Sequence, residues 1–179
     1  MEKLVVGGGC FWCTEAVFQR LKGVTKVVSG YMGGLFPNPS YREICTGNTG
    51  HAEVIEISYD PKEISLEELL LVFFKTHDPT TLNRQGNDVG TQYRSVIFYA
   101  DEQQRTIAQQ LIKQLEDAKV FGAPIVTELS PATEFYTAEE YHQDYFNRNS
   151  YQPYCSFVIQ PKLNKFMKEF EELAKKSNQ

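Results

Sequence analysis

Apolar residues fall along the chain in short runs with two different repeats, and each change of repeat marks a predicted element. Leu4-Val5-Val6 is a brief apolar run stopped by Gly7-Gly8-Gly9. From Cys10 the spacing turns helical: Phe11, Ala16, Val17 and Leu21 recur near the period of a buried face, and Gly23 supplies the stop. Val24 to Tyr31 predicts a strand that runs out at Gly33-Gly34. His51 to Tyr59 alternates through Val54, Ile55, Ile57 and Tyr59 and ends at the turn Asp60-Pro61. Ser65 with Glu68 three positions later forms a capping box, which opens a helix running to about His77, ahead of Pro79. Arg94 to Ala100 predicts a strand, and Asp101 to Lys119 a long helix with Ile107, Ala108, Leu111, Ile112 and Leu115 on one face. Ile125 to Leu129 predicts another strand, with Glu134-Phe135-Tyr136 as its continuation. Ala138 to Asn147 and Leu163 to Lys176 predict two further helices. The stretches Leu35 to Gly50 and Thr80 to Gln92 are polar and glycine-bearing, so both are expected as loops, the first with one helical turn around Tyr41 to Cys45.

The resulting order is β-α-β-β-α-β-α-β followed by helices. Few strands with helices between them imply an α+β fold, a two-layer α/β sandwich with a mostly antiparallel mixed sheet and a ferredoxin-like core. No repeat, low-complexity tract or linker interrupts it, so residues 1–179 are expected to be a single domain carrying a C-terminal amphipathic helix at 163–176. A chain of 179 residues, 41% hydrophobic and 23% charged, excludes disorder. A domain of that size buries roughly two-thirds of its unfolded surface and needs neither metal nor disulfide to hold it.

A net charge of −5 argues against nucleic acid and anionic lipid as partners. The lysines between Lys162 and Lys176 are interleaved with glutamates, as on a solvated face. No apolar run reaches the roughly 18 residues of a membrane span, and the N-terminus shows no apolar signal segment. Four cysteines are too few for a disulfide scaffold, which with the lack of an export signal points to the reducing cytoplasm; a monomer without cofactors is expected.

The chemistry concentrates in Gly7-Gly8-Gly9-Cys10-Phe11-Trp12-Cys13. A thiol at a helix start faces unpaired N–H groups and the positive end of the helix dipole, both of which favour thiolate, the nucleophilic form. The glycines leave room for a group to approach the sulfur. A buried corner residue is the plain alternative for a lone cysteine; three glycines before it and two aromatics behind it favour reactivity. Phe11 and Trp12, the only tryptophan, cannot both point inward from one helical turn, so at least one flanks the thiol as an apolar wall.

Other features admit two readings. Cys10 and Cys13 form a C-x-x-C, the spacing of a thioredoxin-like redox pair, although Phe-Trp is an unusual filling. A structural zinc site lacks its second ligand pair. Glu53, among apolar neighbours, is either a desolvated acid that keeps its proton near neutrality or an ordinary edge carboxylate. Tyr41, Tyr93, Tyr136, Tyr141, Tyr145, Tyr151 and Tyr154 stand in polar stretches, where a hydroxyl can bond a polarised oxygen, although most of the ten tyrosines must be packing residues. Cys155 follows Gln152-Pro153-Tyr154 in an expected loop from which a second thiol could reach the first, whereas Cys45 reads as inert.

Gly-Gly-Cys-Phe-Trp at 8–12 resembles the active-site signature of the peptide methionine-S-sulfoxide reductases of the A class. The blocks beginning at Ser29, Tyr41, His77 and Ala138 match that family in order, and together they cover most of residues 5 to 155. The resemblance implies Cys10 as nucleophile and Glu53 as the acid that protonates the sulfoxide oxygen. It implies Phe11 and Trp12 as the methyl pocket and Tyr41 and Tyr93 as hydrogen-bond donors to that oxygen. Asp88 would order the network, with Tyr145 and Tyr154 as further contributors. It implies reduction of the S epimer of methionine sulfoxide, free or in proteins, through a sulfenic acid and a disulfide, with thioredoxin as electron donor and no metal.

Cys13 stands where many members have glycine, and the C-terminus lacks the glycine-rich tail that elsewhere holds a recycling cysteine. The resolving thiol therefore stays open between Cys155, preferred for its expected loop, Cys13, one turn from Cys10, and a relay through both. Two rival functions follow from the same residues: a dithiol oxidoreductase using Cys10 and Cys13, and a sulfoxide-binding or redox-sensing module without turnover.

Overall fold

The computed structural model describes residues 1–175. Its strands are β1 (Glu2–Gly7), β2 (Val24–Met32), β3 (Ala52–Tyr59), the two-residue β4 (Arg84–Gln85) and β5 (Asp88–Val89), β6 (Val96–Tyr99), β7 (Glu128–Pro131) and β8 (Tyr136–Thr137). Its α-helices are α1 (Phe11–Phe18), α2 (Tyr41–Ile44), α3 (Leu66–Lys75), α4 (Glu102–Asp117), α5 (Tyr145–Arg148) and α6 (Gln160–Glu169).

The main sheet has six strands in the order β7-β6-β1-β3-β2-β8. All neighbours are antiparallel except β6 and β7. Strand alternation sends Leu4, Val6, Ile55, Ile57 and Ile97 into one cluster with Phe18, Leu69, Phe73, Leu111 and Phe166 from the helices. Val5, Val54, Val96 and Phe98 form a smaller cluster of their own, capped by Phe135. The expected two-layer sandwich is thus present, with its main core between sheet and helices. Each large side chain fully buried there contributes about 1.5–3 kcal/mol.

Local signals set most helix starts. Ser40 with Glu43 and Ser65 with Glu68 close complete capping boxes on α2 and α3, and Asp101 accepts from the Gln104 N–H at the start of α4. α1 differs, because nearly its whole surface is buried and Cys10, its N-cap, makes no side-chain capping bond.

Four expectations are corrected. Glu134-Phe135-Tyr136 does not continue the strand before it: β7 ends at Pro131, and β8 pairs with β2 on the opposite edge of the sheet. The connecting chain crosses the sheet's second face, where the Phe135 ring stands 2.5 Å from where a side chain on Gly30 would begin. The stretch 138–147 is not one helix but a single 3-10 turn at Glu140–His142 and the four-residue α5. Asp144 between them is left-handed at φ 57, which breaks the helical path. The polar segment 80–92, expected as loop alone, contains the β4–β5 hairpin.

The final helix begins earlier than 163, from a π turn at Cys155–Ile159 that runs into α6, and ends at Glu169. There Phe170 leaves helical geometry at φ −117, and the chain returns so that Ala174 bridges Leu21 and Lys175 N–H donates to the Arg20 carbonyl. Lys176, the expected end, lies outside the described residues. Among the described residues no helix is long and apolar enough to cross a membrane.

Candidate active site

The three glycines bring four segments to one point. A Cβ on Gly7 would stand 2.6 Å from the Glu53 carbonyl oxygen, and one on Gly8 2.8 Å from the His77 ring. Gly9 adopts φ +88 above the Gln85 side chain, and its N–H donates to the Tyr93 carbonyl at 3.2 Å. β1 therefore passes directly into α1, leaving Cys10 partly exposed at the junction.

Glu53 enters this junction from β3, opposite Tyr31 of β2. It is 1% exposed, its Oε1 accepts the Phe11 N–H at 3.1 Å, and its Oε2 is buried with no partner. Burial pushes its carboxyl up to about 8, against the opposing Phe11 bond and with the help of Asp88 and Cys13. Of the two sequence readings, the structure selects the desolvated acid.

The helix start acts on the thiols less simply than expected. Burial raises the Cys10 thiol well above the ordinary range, and its contact with Cys13 and the Glu53 charge push the same way. The Trp12 N–H favours the thiolate, as a helix N-terminus should, but is outweighed. Cys13 is drawn down to about 7, first by its hydrogen bond with Cys10, against burial, with Lys162 and the Tyr154 hydroxyl assisting. The pair thus holds one negative charge more readily than two.

Tyr154 links this pair to Asp88. Its hydroxyl donates to Asp88 Oδ2 at 3.1 Å and lies 3.7 Å from Cys13 Sγ. A phenol has one proton, so it serves the carboxylate while Cys13 is a thiol and can turn to the sulfur when Cys13 ionises. Cys155 is not in a loop: it occupies the π turn, fully buried, and the charge of Cys13 raises its thiol further after burial has done so. Cys45 is exposed, at the C-cap of α2.

The aromatic residues divide by depth. Phe11 is fully buried, stacked on Tyr41 at 6.5 Å and tilted on Tyr31 at 5.6 Å, and so backs the site. Trp12 is partly exposed and carries the Tyr145 ring face to face at 3.7 Å between centroids, with Tyr154 edge-on at 5.9 Å. Tyr41 and Tyr93 are half-buried, and their hydroxyls are pushed up first by burial and then by the Glu53 charge, so both stand near the acid as neutral donors.

Two residues of this site were not singled out from sequence. His142 is fully buried among Phe11, Trp12, Tyr41 and Tyr141, and its Nδ1 accepts the Trp12 indole N–H at 3.0 Å. That bond requires Nδ1 to be bare, and burial keeps the ring neutral. Glu139 accepts from the Tyr31 hydroxyl at 2.9 Å and the Tyr41 N–H at 2.8 Å, tying α2 to β2. Both lie in the block starting at Ala138 that carried part of the family resemblance, which was the available signal.

The chain as a whole is similar to proteins already known. A family model described as peptide methionine sulfoxide reductase matches residues 2–174. The chain is 56% identical over 175 residues to peptide methionine sulfoxide reductase MsrA of Saccharolobus solfataricus, covering 98% of each. Among solved structures, the reduced form of Mxr1 from Saccharomyces cerevisiae superposes with a TM-score of 0.78 at 36% identity, over 86% of this chain and 88% of that one. Mxr1 in complex with Trx2 matches with a TM-score of 0.56 at 28% identity, over 80% of this chain and 84% of that one.

Proposed function

The chain belongs to the peptide methionine sulfoxide reductase family, and from that premise we propose how its residues divide the reaction, in one domain, on the S epimer of methionine sulfoxide. Glu53 gives its proton to the sulfoxide oxygen while Tyr41 and Tyr93 donate hydrogen bonds to the same atom. Protonation makes the sulfur electrophilic, and the Cys10 sulfur attacks it. The thiol proton of Cys10 passes to the Glu53 carboxylate, restoring the acid. The transient bond between the two sulfurs and the S–O bond then break as the hydroxyl transfers to the Cys10 sulfur, methionine leaves, and Cys10 is left as a sulfenic acid. Trp12, backed by Phe11, forms the wall for the substrate methyl group, with Tyr145 against its other side.

The observation that carries this reading is the Glu53 carboxyl. It is buried, protonated to about pH 8, unpartnered at Oε2 and bonded through Oε1 to the helix that Cys10 caps. Disulfide exchange has no leaving oxygen to protonate, whereas the unpartnered Oε2 suits the oxygen of a sulfoxide.

Cys13 then displaces hydroxide from the Cys10 sulfenic acid as water, forming the Cys10–Cys13 disulfide. Its place one helical turn from Cys10 and its thiol drawn down to about 7 support it as the first resolving residue. Cys155, buried within electrostatic reach of Cys13, stands next in a relay. Thioredoxin returns the enzyme to its dithiol form by exchange; the relative Mxr1 is seen in complex with Trx2. A cycle that ends on free thiols needs a reducing compartment, and the cytoplasm is the compartment we assign.

The test is to mix reduced protein with racemic methionine sulfoxide in the absence of recycling reductant. About two methionines per enzyme are expected, with a Cys13–Cys155 bond and a sulfenic acid on Cys10, since the relay frees Cys10 for a second attack. About one methionine with a Cys10–Cys13 bond would show that Cys155 takes no part. The unreacted R epimer should remain. No methionine, with the same bond formed by oxidants alone, would make the protein a dithiol oxidoreductase instead.

A further inference from the structure

Glu15 is a glutamate in the middle of α1, 1% exposed, in a helix whose other buried residues are mostly apolar. Burying a carboxyl is costly unless its oxygens are bonded. Both oxygens of Glu15 are: Oε2 accepts the Asp144 N–H at 2.9 Å and Oε1 the Tyr145 N–H at 3.2 Å, from a segment about 130 positions along the chain. Burial raises its carboxyl to about 7 while these two bonds pull it back.

The segment so held is unusual in its backbone. Asp144 is left-handed at φ 57, a conformation that an aspartate tolerates but does not favour. It is also tied by side chains from α1 and its own turn: Oδ1 accepts from Gln19 Nε2 at 3.0 Å and from Asn147 Nδ2 at 2.7 Å. The following residue, Tyr145, lays its ring on Trp12 at 3.7 Å with only 7° between the planes. Glu15 and Trp12 lie one turn apart on the same helix, so the same face of α1 holds the backbone of residue 145 and receives its ring.

We propose that Glu15 is a positioning residue for the substrate pocket: by clamping the N–H groups of Asp144 and Tyr145 it sets the Tyr145 ring against Trp12 and so fixes the orientation of the pocket wall. This rests on the reading of Trp12 as that wall. Glu15 touches neither the thiols nor the acid through any bond of its own, so its loss should move substrate affinity far more than the chemical step.

Trp12 is the only tryptophan, so fluorescence reports the stack directly, without substrate. Glu15→Gln keeps one acceptor oxygen but turns an N–H towards the second backbone N–H, breaking the clamp. The expected result is a shift of Trp12 emission to longer wavelength. KM for free methionine sulfoxide should rise about five- to tenfold, the scale of one well-set aromatic contact, with kcat changed less than about twofold.

Tyr145→Leu should reproduce both changes, and the double variant should be no worse than Tyr145→Leu alone, because Glu15 acts through Tyr145. Glu15→Asp, which withdraws the carboxylate by one methylene, supplies the same readouts if the glutamine variant does not fold. A folded Glu15 variant with unaltered emission would overturn the proposal, as would additive KM effects in the double variant. An emission shift with unchanged KM keeps Glu15 as the clamp of the stack and removes Trp12 from the substrate pocket, so the two readings fail separately.

Discussion

The Phe11 N–H donates to Glu53 Oε1 at 3.1 Å, joining the first residue of α1 to a buried carboxyl on β3. That bond places the acid over the helix start on which Cys10 sits. It leaves Oε2 without a partner, at a cost of roughly 1–3 kcal/mol that the fold carries. A polar atom kept unsatisfied in this way is available to a substrate oxygen.

Removing the acid should separate activity from stability. Glu53→Gln is expected to slow methionine release in a single turnover by about 10²- to 10⁴-fold, the range for a general acid. In the parent protein that rate should be level below pH 8 and fall above it, as the carboxyl loses its proton at about 8. The stability effect has the opposite sense. Between the ordinary carboxylate value of 4.5 and about 8 the folded state holds a proton that the unfolded chain has released, so stability drops as pH rises through that window. The drop is of order 3–5 kcal/mol. Glu53→Gln should therefore melt higher than the parent at pH 8, read by calorimetry, and a lower Tm would contradict the assigned protonation.

The thiols should fall into distinct classes. Cys10→Ser is expected to release no methionine at all, and any turnover above background would remove Cys10 as nucleophile. Cys13→Ser should still release one methionine per enzyme, then stall as a sulfenic acid that a dimedone-type trap detects. If Cys13→Ser instead continued to turn over with thioredoxin at the parental rate, Cys155 would be the direct resolving residue.

Tyr154 bears on the second step through its proton. Replacing it by phenylalanine removes a donor to the Cys13 thiolate and should raise the Cys13 thiol above its value of about 7. Alkylation of Cys13 against pH, in a Cys10→Ser background, measures this directly. Disulfide formation near neutrality should slow several-fold, more than methionine release does; an unshifted alkylation profile would show that the hydroxyl stays on Asp88 throughout.

The glycine turn offers a purely steric check. Gly7→Ala places a methyl 2.6 Å from the Glu53 carbonyl oxygen, which is backbone of a central strand and cannot retreat. We expect a loss of about 1–3 kcal/mol in urea unfolding, typical of overpacking. Activity should fall further than stability explains, because the strain is delivered to Glu53 itself. Parental stability in this variant would mean that the two strands yield more easily than their pairing suggests.

Much of this was legible before the fold. Ser65 and Glu68 announced their helix because a capping box acts within four residues, and the alternation of Val54, Ile55 and Ile57 announced β3 because side chains alternate faces in any strand. The family motifs led to Cys10, Glu53, Trp12 and Tyr93, and all four meet around the glycine turn. What was misread depended on distant contacts. Tyr136 left its expected strand because Phe135 found an open face across the sheet. Cys155 became buried helix because the segment after Tyr154 packs on α1 and leads into α6.

The sequence by itself determined the place of the Cys10 thiol at a helix start, the glycines that let it be approached, and most of the helices and longer strands, since all of these follow from short-range geometry. Only the tertiary structure decided the protonation of the groups. Glu53 lies 43 positions from Cys10 along the chain, and Asp88 and Tyr154 lie farther still. Whether a carboxyl keeps its proton, or which of two thiols ionises, is set by burial and by neighbouring charges. Those exist only once the chain has folded.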